Sequence, residues 1–146
     1  GAVETHVTVP AQRFTPYLVP LEGELAPYER LEVSVEHLAL LPTEFDAVRV
    51  RNAYIELTLL PSLGGKVYRF VDRSTGHNQF YDNPLGVKIN GWGRHGWWFA
   101  LGGTELMEPF DEHGGMVYVP FRYAVQDGDE GVTVRMQFSE SDHFGL

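Results

Sequence analysis

The chain has 146 residues, no cysteine and a formal net charge of −9. That length corresponds to one domain able to bury a core, and the missing thiols exclude disulfides and thiolate chemistry. The acidic balance argues against nucleic-acid phosphates and anionic membrane surfaces as partners, because both call for basic patches.

Residues 1–30 carry Pro10, Pro16, Pro20 and Pro27. Proline cannot donate to a β-ladder and sits at sheet edges, so this segment is predicted to form edge strands and then an extended arm. The opening residues lack the charged-then-apolar layout of a signal peptide, no apolar run reaches the roughly twenty residues of a membrane span, and the cellular compartment is left open. From residue 31 to 146 we expect one β-sandwich domain. Leu31, Val33 and Val35 alternate with Glu32, Ser34 and Glu36, and Ile55, Leu57 and Leu59 alternate with Tyr54, Glu56 and Thr58. Phe121, Tyr123 and Val125, and then Val132, Val134, Met136 and Phe138, repeat the pattern. Period-two alternation places apolar side chains on one face of a half-buried strand. Turn signals separate the runs: Pro61-Ser62-Leu63-Gly64-Gly65, Ser74-Thr75-Gly76, Asp82-Asn83-Pro84 and Asp127-Gly128. The pattern predicts a meander of about four strands over 31–84 and a hairpin over 119–139, hence an all-β antiparallel sandwich.

Residues 85–118 form a long connection with weak periodicity, and connections of that length are usually functional. All three tryptophans lie in it, with Arg94, His95, Glu105, Glu112 and His113. Aromatic faces beside placed polar groups suit a sugar, which offers C–H faces for stacking and hydroxyls for hydrogen bonds. Trp97 and Trp98 are adjacent, so on an extended chain one faces the core and the other is available as a platform. Glu105 can accept two hydroxyls or act as acid or base, and Arg94, His95 and Glu112 can bind hydroxyls. His113 can exchange a proton near neutral pH. The same residues also read as a core plug and a solvated loop. Asp111, Glu112 and His113 are sequence neighbours that rarely converge on one ion, so no metal site is expected. No Gly-rich nucleotide loop is present, so no cofactor is expected.

The series Leu60-Pro61-Ser62-Leu63-Gly64-Gly65, Asp72-Arg73-Ser74-Thr75-Gly76, Phe80-Tyr81-Asp82-Asn83-Pro84, Trp97-Trp98, Gly102-Gly103-Thr104-Glu105 and Glu112-His113-Gly114 resembles the galactose-mutarotase-like (aldose 1-epimerase) superfamily. It is nearest to a bacterial branch whose members often carry tetratricopeptide repeats. The resemblance covers roughly residues 47–140, by the order and spacing of its motifs. It implies a supersandwich that binds carbohydrate on a concave sheet face, with His113 and Glu105 as the catalytic candidates. The arginine that usually follows the first family histidine is replaced here by Gly115-Met116-Val117, and the second histidine and late glutamate belong to the other half of that fold. The chain thus reads as an N-terminal half, inactive as an isolated mutarotase, whose exposed sheet edges favour a homodimer. The rival reading is a non-catalytic protein-interaction module.

Overall fold

The computed structural model describes residues 1–22, 29–92, 96–106 and 116–139. They fold into antiparallel β-structure, with only two single-turn 3-10 segments, Thr15–Tyr17 and Val35–His37, as helical elements among the described residues. The strands are β1 Ala2–Gln12, β2 Leu18–Pro20, β3 Glu29–Leu31, β4 Leu40–Arg51, β5 Ile55–Leu60, β6 Lys66–Asp72, β7 His77–Asn78, β8 Arg122–Gly128 and β9 Gly131–Gln137. The main sheet has the order β1-β4-β5-β6-β7, and β2-β3 and β8-β9 form separate two-stranded ribbons.

The strands β5, β8 and β9 form where the alternation placed them; β9 alternates between half-buried and exposed, whereas β8 is exposed at every residue, Tyr123 and Val125 included. Two stretches differ. The Leu31–Glu36 run is not a strand throughout, because β3 ends at Leu31 and the chain turns through Val35–His37. The cause is a buried amide. Gln12, 5 % exposed, donates from Nε2 to the Val35 and Leu38 carbonyls, both at 2.9 Å, and its Oε1 accepts from the Ile89 N–H at 2.7 Å. These bonds satisfy backbone groups that a ladder would otherwise have to satisfy. Conversely, Leu40–Arg51 forms the long strand that pairs with all eleven residues of β1. Replacing Gln12 with leucine should lower unfolding free energy by about 2 kcal/mol, since three backbone groups lose their partner at once. Urea denaturation reads this directly.

One face of the main sheet carries the main core and the other is covered in part, with His6, Glu44 and Asp46 exposed on it. Opposed residues in an antiparallel pair share a face. Val9, Ala11, Ala47 and Leu60 lie on one face, and Val87, Ile89, Trp97, Phe99, Leu101, Val117 and Val119 from the connecting segments pack over them in the main core. On the other face Val48 opposes Leu59 and Val50 opposes Leu57. The β8–β9 hairpin lies over this side. The Tyr123 hydroxyl donates to Glu4 Oε1 at 2.6 Å, and Val132 shares a small cavity with Val50 and Leu57. Val134 and Phe138 are half-buried within the single chain, and Phe138 stacks on Phe121 at 5.5 Å.

One irregularity positions the site. Thr58 opposes Arg69 but Leu59 opposes Val67, so Tyr68 is an extra residue on β6. Such a bulge bends the strand and re-aims the side chain of the inserted residue.

Candidate functional site

The tryptophan-rich segment is held by backbone pairing and not by a long ladder. Asn90 and Trp98 exchange both hydrogen bonds, Asn90 N–H to the Trp98 carbonyl at 2.7 Å and the reverse at 2.9 Å. This closes a loop at its base. Beyond Trp98 the chain alternates: Trp97, Phe99 and Leu101 are buried, while Trp98, Ala100 and Gly102 lie half-buried on the other side. The two adjacent tryptophans therefore part company. Trp97 is 2 % exposed, packs at 5.0 Å from Phe14 and 4.9 Å from Tyr118, and donates from Nε1 to the Glu29 carbonyl at 2.9 Å. It is a core residue. Trp98 faces outward and meets Trp92 edge-to-face at 6.0 Å, and Trp92 remains 49 % exposed.

Downstream, the segment docks on the bulged strand. Gly102 pairs with Asp82, and the Gly103 N–H donates to the Tyr81 carbonyl at 3.2 Å. Thr104 donates its N–H to the Val67 carbonyl at 2.9 Å and accepts from the Val67 N–H through Oγ1 at 3.0 Å. Two polar clusters result. In the first, the Tyr68 hydroxyl donates to Asp82 Oδ1 at 2.5 Å and the Arg69 guanidinium donates to the other oxygen of the same carboxylate. Arg69 also sits over the Tyr68 ring, 5.3 Å from its centroid. Burial, reinforced by the Asp82 hydrogen bond, pushes the Tyr68 phenol up to about 12, so this hydroxyl stays a donor.

The second cluster centres on Lys66. Its side chain is 1 % exposed and its Nζ donates to the Gly102 carbonyl at 3.0 Å. Desolvation lowers its pKa to about 8, opposed by the negative charge of Glu105. Among the described residues, then, Glu105 is a half-buried carboxylate facing a buried ammonium, and Thr104 pins its loop to β6. That arrangement orients a carboxylate as a hydrogen-bond acceptor.

Of the residues expected from sequence, Trp98 and Glu105 are half-buried and Trp97 lies in the core. Arg94, His95, Glu112 and His113 lie outside the described residues. Sequence reasoning missed Lys66, Tyr68, Arg69 and Asp82. A faint signal existed for Lys66: it is one of two lysines in the chain and directly follows Gly64-Gly65. Nothing in the sequence pointed to Tyr68 meeting Asp82.

Residues 24–143 match a family described as Domain of unknown function (DUF5107), and the chain belongs to that family. It is also similar in structure to a TPR-domain-containing protein from Parabacteroides distasonis ATCC 8503, with a TM-score of 0.69 and 20 % identity over 93 % of this chain. At that identity the likeness speaks to the fold. The chain spans about a quarter of that protein's length, 24 %. No curated protein matches the sequence.

Proposed function

We propose that this DUF5107 domain binds carbohydrate, and that the Trp92–Trp98 loop is the stacking surface. The observation that carries the reading is Trp92, 49 % exposed and set edge-to-face against half-buried Trp98. A large aromatic ring turned toward solvent presents an apolar platform on which a sugar face can stack. The likeness of the motif series to galactose-mutarotase-like domains supports the same class of ligand, and a neutral sugar suits a chain of net charge −9. The proposal is one of binding; it assigns no reaction.

Tryptophan fluorescence tests it. Titration with glucose, galactose, mannose and N-acetylglucosamine should shift or quench emission for at least one sugar. Trp97 is enclosed and contributes a constant background. Trp92→Ala should weaken that sugar's binding by at least about tenfold, which corresponds to a single lost stacking contact of ordinary strength, with an unchanged circular dichroism spectrum. A panel of sugars that leaves emission unmoved, or a Trp92→Ala variant that binds as well as the parent, would refute the reading.

A further inference from the structure

A second recognition feature lies at the far end of the main sheet, where β5 begins and β6 ends. An open cleft of about 770 Å³ is bounded there by Tyr54, Ile55, Phe70, Arg73, Gln79 and Phe80, among others. Its apolar wall is built, since Phe70 and Phe80 meet edge-to-face at 6.1 Å. Its rim carries Tyr54, whose side chain is among the most exposed large rings of the chain at 78 %.

Tyr54 is exposed but not loosely held. The Asn52 side chain accepts from the Tyr54 N–H at 2.8 Å and the Ile55 N–H at 2.9 Å, and the Tyr54 carbonyl accepts from the Arg73 N–H at 2.9 Å. A turn of this kind needs only a small polar residue at its tip. The backbone beneath this solvent-facing ring is therefore anchored, which fixes where the ring stands at the rim. Beside it, the Arg73 guanidinium donates through one nitrogen to the Asn52 carbonyl, which holds the side chain in place. Arg73 forms no ion pair among the described residues. The Gln79 backbone is tied to the Phe70 carbonyl at 2.7 Å, while its side-chain amide makes no hydrogen bond among the described residues. Asp72 also borders the cleft, but its carboxylate is engaged by the Ser74 N–H at 2.8 Å and the Ser74 hydroxyl at 2.6 Å.

We infer that this cleft binds a sugar ring bearing a carboxylate, a hexuronate. Tyr54 stacks on the C–H face of the ring, the fork of Arg73 takes the carboxylate, and Gln79 exchanges hydrogen bonds with ring hydroxyls. The local charge sets the ligand class. The net charge of −9 opposes an anion in general, so recognition rests on Arg73, which forms no ion pair among the described residues and whose remaining N–H groups can take a carboxylate beside the Tyr54 ring. A neutral sugar would leave the remaining N–H groups of the guanidinium unused, and a small anion would leave the ring unused. The inference stands independently of the Trp92–Trp98 loop, which is a separate surface for neutral sugars.

The test is amide chemical-shift mapping on the folded chain, with sodium glucuronate and sodium galacturonate as probes, glucose as the neutral control and acetate as the bare carboxylate. A uronate is expected to perturb residues 53–55, 73–74 and 79–80 in a saturable manner, while glucose and acetate do not. Arg73→Gln and Tyr54→Ala should each weaken uronate binding by about tenfold or more. Tyr54→Phe should retain it, which shows that loss in the alanine variant reports the ring and not misfolding. Trp92→Ala should leave uronate binding unchanged, so failure at one surface is distinguishable from failure at the other. Equal response to acetate, equal response to glucose, or shifts confined to other residues would overturn the inference. So would concentration-dependent changes at the cleft without any sugar, which would show a second copy of the chain seated there.

Discussion

Gly102→Ala lowers the stability of this domain by about 3 kcal/mol, the sum of a strained backbone and an overpacked contact. Gly102 has φ of +113°, a conformation that side chains rarely adopt, and an added Cβ would stand 2.1 Å from the Tyr81 carbonyl oxygen. That neighbour is backbone, so it cannot swing aside. The Gly102 segment would have to withdraw from Asp82, and it would take with it the carbonyl that accepts from Lys66 and the loop that carries Thr104 and Glu105. Gly76→Ala is the matched control. Gly76 has φ of +72° but open space where the Cβ would go, so only the conformational part remains, about 1 kcal/mol. Urea unfolding of the two variants separates strain from collision. Equal losses would show that the close approach of Gly102 to Tyr81 is not a constraint on the fold.

The second large effect is a pH dependence centred on Lys66. Its amine titrates near 8 in the folded chain against 10.5 for an ordinary lysine, because burial penalises the ammonium. Between those values the unfolded chain holds more protons than the folded one, so stability rises with pH across the window from about 8 to 10.5. Below pH 8 both states are protonated and the full penalty of the buried charge is present. The rise amounts to about 3 kcal/mol by the size of the shift. Tyr68 acts in the opposite sense at higher pH. Its phenol stays protonated to about 12 when folded against 10 when unfolded, so its contribution is lost as pH climbs through that interval. Comparison with Lys66→Met isolates the lysine, since Tyr68 is common to both chains. The difference in unfolding free energy, parent minus variant, should grow by about 3 kcal/mol from pH 8 to 10.5. A flat difference would mean that the Lys66 amine is hydrated in solution and that the buried contact with Gly102 does not persist.

Both effects concern residues whose importance arises from partners distant in sequence. Lys66 and Gly102 meet across the join between β6 and the tryptophan-rich segment, and Tyr68 meets Asp82 because of the bulge opposite Thr58 and Leu59. Period-two reading assigns alternate residues of β6 to alternate faces. A single inserted residue breaks that assignment, and nothing in the local pattern of Lys66-Val67-Tyr68-Arg69 marks the insertion. The cleft at Tyr54 was equally hidden. Its members are scattered strand-end and turn residues in sequence; what makes them a cleft is that the start of β5, the end of β6 and the segment after β7 converge there.

By itself, the sequence determined the all-β class, the strands β5, β8 and β9, and that Trp97 and Trp98 point to opposite sides, without saying which is buried. Each of these follows from local stereochemistry, since side chains of an extended chain alternate; which side is buried is a tertiary outcome, and every residue of β8 stays exposed. Only the tertiary structure decided that Leu40–Arg51 is the central partner of β1, that the Leu31–Glu36 alternation gives way to a turn held by Gln12, and that Lys66, Glu105, Tyr68, Arg69 and Asp82 gather beneath the Gly102 loop. Those outcomes depend on which strand pairs with which and in what register, a competition among long-range contacts whose energies are set by the whole assembled core and not by any one segment.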